Sequence, residues 1–343
     1  MTFGRLSQEL IDFFKRTLQE DQIFLDEENL LKYGSDETEN LSYPPEVVLK
    51  PNNTEEVAAI LKICNEHSIP VTPLGARTGL SGGALSIHGG VGLSMERFDR
   101  IVDIDENNLQ ATVEPGVINQ VFQEAVKEKG LFYPPDPASW GSCFLGGNLA
   151  LNSGGPRAVK YGVTSDYVLN LEVVLASGDV IWTGANTLKN STGYNLTQLM
   201  VGSEGTLGII TKAVFKLIPE PTEDLLMLVP FNSEEKACEA VPAIFKAGVI
   251  PSAMEFMERD AIDFTLKYID GINMEVGDEV QAHLLIEVDG NDPEVLMKDC
   301  EKIMSVLEQY EAGEILFADT AAQKEMLWKM RRRVGEAVKA NSI

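Results

Sequence analysis

The sequence has few positive charges, few histidines and few cysteines, and each shortage excludes a class of function. Lys and Arg together number 28 against 53 Asp and Glu, which gives a net charge of −25. A protein that grips a nucleic-acid backbone must neutralise phosphates, so no nucleic-acid partner is expected. The three histidines lie far apart at positions 67, 88 and 283, so a histidine-rich metal site is not expected either.

The four cysteines are equally scattered, at positions 64, 143, 238 and 300, and no CxxC pair occurs. A chain of 343 residues needs no disulfide scaffold, so a reducing, cytoplasmic location is expected. No eighteen apolar residues run together, and no membrane-spanning helix is expected. Residues 1–20 mix charged and apolar side chains without an apolar stretch, so no signal peptide is expected there.

Glycine, by contrast, is plentiful and unevenly distributed. Seven of the 29 glycines fall within residues 75–92, five within 141–155 and three within 202–208. The paired prolines of Leu217–Thr222 end regular structure and mark a hinge, after which glycine becomes sparse. The predicted domains are an N-terminal helical segment at 1–40, a first domain at 41–220 and a second domain at 221–343.

The periodicity of apolar residues predicts α+β structure in both domains. A strand at 46–50, a helix capped by Asn53 or Thr54 and a strand at 69–74 form a β–α–β beginning, which predicts parallel strands. Residues 100–114 and 167–182 each read as a hairpin. In the second domain, strands alternate with helices of about ten to eighteen residues, which predicts an antiparallel sheet covered by helices on one face.

The first glycine block, residues 73–83, is suited to holding an anion. Successive main-chain N–H groups in such a loop form a concavity that binds phosphate, and Arg77, Thr78 and Ser81 add side-chain donors. The block matches neither the ATPase phosphate loop nor the Rossmann turn. Residues 79–83 fit the GxSxG pattern of hydrolases, but no helix can follow, so a serine hydrolase is rejected. A purely structural glycine loop is the alternative for this block alone.

Two further blocks offer similar surfaces. The second, residues 134–155, has a stiff proline entry, hydroxyls at Ser139 and Ser142, and a short helix that opens at Gly146. The third, residues 200–210, lies at the start of a strand. Three glycine-lined surfaces suit a large, flat, doubly phosphorylated ligand better than one nucleotide would.

In their order and spacing, the three blocks resemble the FAD-binding domain of PCMH-type flavoproteins in the vanillyl-alcohol oxidase superfamily. The resemblance is densest over residues 41–221. The most similar subfamily is that of the glycolate oxidase flavoprotein subunit, D-lactate dehydrogenase and D-2-hydroxyglutarate dehydrogenase. It implies a two-lobed α+β domain that binds FAD non-covalently, followed by an α+β cap domain. The residues that it assigns to FAD are Leu74, Gly75, Ala76, Arg77, Thr78, Gly79, Ser81, Gly82, Pro135, Asp136, Ser139, Gly141, Ser142, Gly146, Gly147, Asn148, Ala150, Asn152, Gly154, Gly155, Gly205, Gly208, Ile209 and Ile210.

The resemblance also assigns the substrate carboxylate to Arg331, in the segment 328–336, and leaves Arg332 and Arg333 as a solvated basic face. A guanidinium can hold a carboxylate bidentately and so fix the adjacent C–H over the flavin. It assigns no catalytic base within this chain. Longer relatives carry a divalent metal such as zinc, and a histidine base, beyond the point where this chain ends. The cap domain is therefore expected to be incomplete at its C-terminus, with no metal ligand in it.

The activity that the resemblance implies is FAD-dependent oxidation of a 2-hydroxy acid of the glycolate, D-lactate or D-2-hydroxyglutarate type to the 2-oxo acid. The electrons would leave to a quinone, an electron-transfer flavoprotein or a partner subunit, and a homodimer is compatible with this. Two alternatives stay open. One is a PCMH-type oxidase of another alcohol or sugar, and the other is a flavin-binding subunit that needs a partner chain to act.

Overall fold

The structure, a computed structural model, describes residues 3–38, 40–268, 270–272 and 274–341. The chain divides into two compact units. The first unit comprises residues 1–154 and 163–220, and the second comprises residues 155–162 and 221–343. Residues 155–162, which interrupt the first unit in sequence, therefore belong to the second unit.

The α-helices within the described residues are α1 (Gln8–Thr17), α2 (Glu27–Lys32), α3 (Thr54–Glu66), α4 (Asn119–Lys127), α5 (Leu145–Leu151), α6 (Ala158–Tyr161), α7 (Leu196–Met200), α8 (Glu234–Lys246), α9 (Arg259–Tyr268), α10 (Pro293–Leu307) and α11 (Ala321–Asn341). The strands are β1 (Ile23–Phe24), β2 (Val47–Leu49), β3 (Val71–Leu74), β4 (Val91–Ser94), β5 (Ile101–Asp105), β6 (Gln110–Val113), β7 (Leu131–Phe132), β8 (Val168–Val174), β9 (Val180–Trp182), β10 (Ile209–Lys216), β11 (Ile218–Pro219), β12 (Glu223–Phe231), β13 (Ala253–Glu258), β14 (Ala282–Gly290) and β15 (Leu316–Phe317).

The first lobe of the first unit is a four-stranded sheet in the order β1-β2-β4-β3. Helix α3 begins as the sequence predicts, because the Asn53 side chain accepts a hydrogen bond from the Glu56 N–H at 2.9 Å. The apolar sides of α1 and α3 pack on this sheet through Phe14 and Ile60, which are fully buried. Strands β2 and β3 are parallel, as predicted, but they are not neighbours, since β4 lies between them and pairs with both. The first glycine block leads from β3 into that central strand.

The second lobe is an antiparallel sheet in the order β5-β6-β10-β8-β9. The two predicted hairpins, β5–β6 and β8–β9, are confirmed, and β10 joins them by pairing with β6 and β8. The buried Glu172 of β8 links the lobes: its Oε1 accepts from the hydroxyls of Thr54 on α3 and Thr211 on β10, each at 2.8 Å. Lys212 neutralises the same carboxylate at 2.9 Å, which is what makes its burial tolerable.

The second unit is built on an antiparallel sheet in the order β13-β14-β12-β15. The prediction that helices cover one face of it is wrong. Helices α8 and α10 pack on the face that carries Val229 and Ile286, and α9 and α11 pack on the face that carries Leu228 and Leu285. Strand β14 is buried at every position but its last, so both faces exclude water and both need a cover.

The segment 155–162 belongs to the second unit, and two of its side chains bind Asp289 on β14. Lys160 Nζ donates to the main-chain oxygen of Asp289 at 2.9 Å and forms an ion pair with its carboxylate. The Tyr161 hydroxyl donates to the other carboxylate oxygen at 2.8 Å. Helix α6 is thus fastened to the sheet by one acidic residue.

Candidate functional site

The first glycine block leaves a row of main-chain donors without protein acceptors. It follows the buried end of β3 at Leu74, and residues 75–79 are half-buried. In the part of the chain that the structure describes, no protein group accepts from the N–H groups of residues 76–81. Arg77 and Gly82 both have positive φ, of 60° and 75°, which bends the loop. The unpaired N–H groups of the half-buried residues 76–79 need an acceptor, and a phosphate supplies one.

The Arg77 side chain is directed away from those donors, towards the end of α2. Its guanidinium donates to the main-chain oxygens of Lys32 and Ser35 and lies 4.6 Å from the centre of the Tyr33 ring. Cations are favourable at a helix C-terminus, where carbonyl oxygens lack partners. The side chain of Arg77 therefore holds the loop in place, while its main chain belongs to the row of donors.

The segment after α2 supports the loop in a way that sequence analysis missed. The Thr38 hydroxyl accepts from the Gly82 N–H at 2.7 Å, and the Glu37 N–H donates to the Gly79 carbonyl at 3.2 Å. Ser81, by contrast, is exposed. A polar run between a helix and a strand gives no sequence signal for such a contact, because the partners are more than forty residues apart.

The structure brings the three glycine blocks together within the first unit. A side chain at Gly75 would approach the main-chain N of Gly147 to 3.8 Å. One at Gly83 would lie 3.2 Å from the Glu204 carboxylate. The second and third blocks are joined directly, because the Glu204 N–H donates to the Ala150 carbonyl at 3.0 Å. Blocks that lie far apart in sequence thus share one region of the first unit.

Gly205 marks the closest approach between the third block and β3. It has a φ of 74°, and a Cβ there would lie 2.4 Å from the Pro73 ring. Gly208 is similarly confined, since a Cβ would lie 2.6 Å from the Val173 side chain. Ile209 and Ile210 follow as the first residues of β10. Glycine at these positions is required by packing of the protein itself.

A chain of buried amides fixes the entry of the second block. Asn148 Nδ2 donates to the Asn119 Oδ1 at 3.1 Å, and Asn119 Nδ2 donates to the Pro135 carbonyl at 3.1 Å. Gln123 donates to the same carbonyl at 3.0 Å. Asn119 and Gln123 were not among the predicted site residues, although each is an amide on the helix preceding the block. Together they hold the main chain at Pro135 and, next to it, the half-buried Asp136.

The remaining predicted residues of the second block divide between packing and open surface. Gly146 is confined by packing, since a Cβ there would lie 2.6 Å from Pro115, whereas one at Gly147 would meet nothing within 4 Å. Asn152 has a φ of 51° and its side chain accepts from the Ser165 N–H at 2.8 Å. The exposed members are Gly141 and Ser142, and the half-buried members are Ser139, Ala150, Gly154 and Gly155. Gly155 already belongs to the second unit.

The arrangement fits the pyrophosphate of a dinucleotide such as FAD. The unpaired donors of residues 76–81 supply hydrogen bonds to anionic oxygens without a side chain. The open surface at Gly147 leaves room for a close-lying group beside them. The block at 202–205 lies against the same region. Main-chain donors and absent side chains are what a bulky anionic ligand requires.

Arg331 belongs to α11 of the second unit. Its Nε and Nη2 both contact the Oε2 of Glu255 on β13. The Glu255 side chain is 14% exposed and that of Arg331 is 32% exposed, so the pair is only partly open to solvent. Arg332 lies 5.6 Å from the Trp328 ring centre, and Arg333 pairs with Glu336 on the exposed side of α11.

The sheet face under α11 carries several acidic side chains. Glu287 on β14 accepts from the indole N–H of Trp328 at 2.9 Å and from the Ser252 hydroxyl at 3.1 Å. Burial raises the pKa of Glu287, and the nearby charge of Arg157 opposes that rise. Asp224 on β12 pairs with Lys324, which lies about one helical turn before Trp328 on α11. None of these carboxylates was among the predicted site residues.

Two absences hold for the residues that the structure describes. Over these residues, no three or more His, Cys, Asp and Glu side chains are grouped so that they could hold a metal ion. None of the described helices combines the length and the hydrophobicity needed to cross a bilayer.

Two known families match successive parts of the chain. Residues 45–184 match the family of FAD-binding domains. Residues 220–343 match the C-terminal domain of FAD-linked oxidases. The two matches follow each other in the order that the resemblance of the glycine blocks implies.

Three curated relatives cover most of the chain. A D-lactate dehydrogenase of Anaerostipes hadrus is 40% identical over 99% of this chain and 72% of its own length. The glycolate oxidase subunit GlcD of Bacillus subtilis is 42% identical over 88% of this chain and 63% of its own length. A D-lactate dehydrogenase of Archaeoglobus fulgidus is 38% identical over 91% and 69%. The chain thus spans 72% and 69% of the lengths of the two D-lactate dehydrogenases. It spans 63% of the length of the Bacillus subtilis protein.

Solved structures agree on the fold. p-Cresol methylhydroxylase with substrate bound superposes with a TM-score of 0.77 at 21% identity, over 96% of this chain and 70% of that chain. A 4-ethylphenol oxidase from Gulosibacter chungangensis gives a TM-score of 0.76 at 23% identity, over 97% and 71%. The predicted PCMH-type fold, α+β in both parts, is confirmed. With an FAD-binding domain, an FAD-linked oxidase C-terminal domain and 40% identity to a relative of which it covers 72%, the chain belongs to the FAD-linked oxidase family that includes D-lactate dehydrogenases and the glycolate oxidase subunit GlcD.

Proposed function

We propose that this chain forms the FAD-binding and substrate-recognition part of a dehydrogenase that oxidises a small 2-hydroxy acid to the 2-oxo acid. The observation that carries the proposal is the match to an FAD-binding domain within a chain that is 40% identical to a D-lactate dehydrogenase over 99% of its length. The unpaired donors of residues 76–81 support the same proposal independently, because they suit an anionic cofactor.

In this proposal the first unit holds the cofactor mainly through its main chain. The N–H groups of residues 76–81 bind the pyrophosphate, and the surface at Gly147 admits the ring system beside it. The amide chain of Asn148 and Asn119 keeps the second block rigid around Pro135. FAD, when bound, would supply the hydride acceptor for the substrate's α C–H, while a base would take the hydroxyl proton.

In the second unit, Arg331 binds the substrate carboxylate. A guanidinium offers two N–H groups on one edge, so it orients a carboxylate as well as attracting it. The attraction matters because the chain as a whole carries a net charge of −25 and repels an anionic substrate. Orientation of the carboxylate fixes the neighbouring α-carbon, and this lowers the entropic part of the barrier.

The proposal also includes an electron acceptor for the reduced flavin and a location in the cell. The relatives named as glycolate oxidase subunits support a partner subunit as electron acceptor, alongside a quinone or an electron-transfer flavoprotein. We place the protein in the cytoplasm, and a homodimer is compatible with this proposal. The divalent metal that the resemblance gives to longer relatives stays a prediction about those proteins.

Anaerobic mixing with substrate tests the proposal without any acceptor. The FAD-loaded protein is mixed with glycolate, D-lactate or D-2-hydroxyglutarate, and the flavin absorption band is followed. We expect at least one of these acids to bleach it. A bleached flavin that fails to reduce an artificial dye would point to a required partner chain. A loaded flavin that none of the acids bleaches, but that another alcohol does, would replace this proposal by the oxidase alternative.

The role of Arg331 is tested by a matched pair of variants on the same helix. Arg331→Lys keeps the charge but loses the bidentate edge, so we expect KM to rise and kcat to fall together, by about tenfold each. Arg333→Lys, whose partner Glu336 is exposed, should leave both within about twofold. Equal kinetics for the two variants would remove Arg331 from the substrate site.

A further inference from the structure

The ion pair between Glu255 and Arg331 occupies only one edge of the guanidinium. Nε and Nη2 of Arg331 both face the Oε2 of Glu255. An arginine has five N–H donors, and this contact uses the two on one side. Among the residues that the structure describes, Glu255 is the partner of Arg331, so the Nη1 side is open to a second carboxylate. A guanidinium held by one edge can still bind bidentately through the other.

Helix α11 does not depend on this ion pair for its position. Three and seven residues before Arg331, Trp328 and Lys324 anchor the helix to the same sheet face. The indole N–H donates to Glu287, and Lys324 Nζ donates to the main-chain oxygen of Asp224 at 2.7 Å as well as pairing with its carboxylate. The buried Leu327 and Met330 add apolar contacts. Removal of the Glu255 carboxylate should therefore free the guanidinium and leave the helix in place.

Two lysines on this face are engaged differently from Arg331. Lys160 and Lys324 are each directed onto both the carboxylate and the main-chain oxygen of a single acidic residue, Asp289 and Asp224 respectively. An ammonium engaged in this way is a point charge that serves the fold. Arg331 alone among these three combines a fixed side chain with a second donor edge.

We propose that Glu255 is the positioning residue for Arg331: by accepting from the Nε and Nη2 edge, it presents the Nη1 edge to the carboxylate of the substrate. The inference rests on the proposed function of the second unit. Arginine has a long side chain with many rotamers, and ordering it in advance removes that entropic cost from substrate binding. The negative charge of Glu255 reduces the attraction for an anion, but the fixed geometry compensates by orienting the bound carboxylate.

Three variants of the full FAD-loaded chain test this. Glu255→Ala removes the acceptor, and Glu255→Gln keeps an acceptor oxygen without the charge. Asp224→Ala removes a different carboxylate that pairs with the same helix. With D-lactate as substrate, we expect Glu255→Ala to lower kcat/KM by about tenfold or more, with a fall in kcat as well as a rise in KM. Glu255→Gln should stay within about threefold and Asp224→Ala within about twofold.

Binding of oxalate, a small carboxylate without an α C–H to lose, separates positioning from chemistry. Measured by calorimetry, it should weaken in Glu255→Ala and be retained in Glu255→Gln. Tighter oxalate binding by Glu255→Ala would overturn the proposal, because Glu255 would then be a competitor for the guanidinium. A Glu255→Gln variant as impaired as Glu255→Ala would overturn it too, because acceptance of the hydrogen bond would not be what matters.

A spectroscopic readout keeps the inference distinct from the proposed function. The N–H signal of Arg331 Nε, assigned by its loss in Arg331→Lys, should be observed by NMR in the wild type and in Glu255→Gln. It should broaden or shift to the position of a free arginine in Glu255→Ala. An unchanged signal in Glu255→Ala overturns the positioning role whatever the kinetics are. Failure of every 2-hydroxy acid to bleach the flavin would instead count against the proposed function.

Discussion

The two units prepare for ligands by opposite means. The first unit offers main-chain donors at glycine blocks and turns its nearest charged side chain, Arg77, back onto α2. The second unit covers both faces of its sheet and presents charged side chains in fixed pairs, such as Arg331 with Glu255. A main chain without side chains can approach a large cofactor closely, whereas an oriented guanidinium selects a small anion. The two units therefore differ in the groups that they leave available to a ligand: main-chain N–H groups in the first and a charged side chain in the second.

The largest expected effect is that of a side chain at Gly205, the tightest glycine of the third block. Gly205→Ala would place a Cβ 2.4 Å from Pro73 at a φ of 74°, so we expect a loss of about 3 kcal/mol in unfolding free energy and loss of FAD. Gly248→Ala in the second unit shares a positive φ of 85° but meets nothing within 4 Å, so it should cost only about 1 kcal/mol. Urea unfolding measures both. Equal losses would show that backbone strain, and not contact with Pro73, decides the effect.

The second unit contains one group that makes it sensitive to mild acid, the buried His283. Burial, with a smaller effect of the Arg259 charge, lowers the pKa of this imidazole to about 4, and no group among the described residues forms a hydrogen bond with its Nδ1. The unfolded chain binds that proton near the ordinary pKa of about 6.5, so it gains protons first. Stability contributed by neutral His283 is therefore full above about pH 6.5 and falls by up to about 3 kcal/mol as the pH is lowered towards 4.

His283→Leu should flatten that dependence, whereas His67→Gln, at an exposed histidine, should leave it unchanged. The measurement is chemical unfolding at several pH values between 4 and 7. An identical slope in wild type and His283→Leu would assign the acid sensitivity to other groups.

The smallest expected change in stability is that of Gly147→Ala, which tests where the cofactor lies on the first unit. Gly147→Ala lies on α5 and meets nothing within 4 Å, so helix propensity should stabilise the FAD-free protein by up to about 1 kcal/mol. The same methyl group should weaken FAD binding about tenfold, since it occupies the surface proposed for the cofactor. Gly335→Ala on α11 is the matched control, with the same stabilisation and no change in FAD affinity. Titration of the FAD-free variants with FAD measures this affinity. Unchanged affinity in Gly147→Ala would show that the cofactor does not lie on that surface.

The sequence predicts well where the signal is local. A few neighbouring residues are enough to identify a glycine cluster, the Asn53 cap or a hairpin. The structure contains the cap and both hairpins as predicted. Contacts between distant residues left no such trace. The insertion of β4 between β2 and β3, the support of Gly82 by Thr38 and the pairing of Glu255 with Arg331 each join residues that no pattern connects. The one-face prediction failed because the buried strand β14 does not alternate cleanly.

The excursion of residues 155–162 into the second unit has a consequence for dissection by proteolysis. The chain crosses between the units at 154/155, 162/163 and 220/221. Cleavage at the last crossing would leave α6 on the larger fragment, while its partner Asp289 lies on the smaller one. The fragments should therefore remain associated after cutting, in the manner of a complementation pair. A recombinant piece beginning at Pro221 would lack α6 and leave Asp289 without Lys160 and Tyr161.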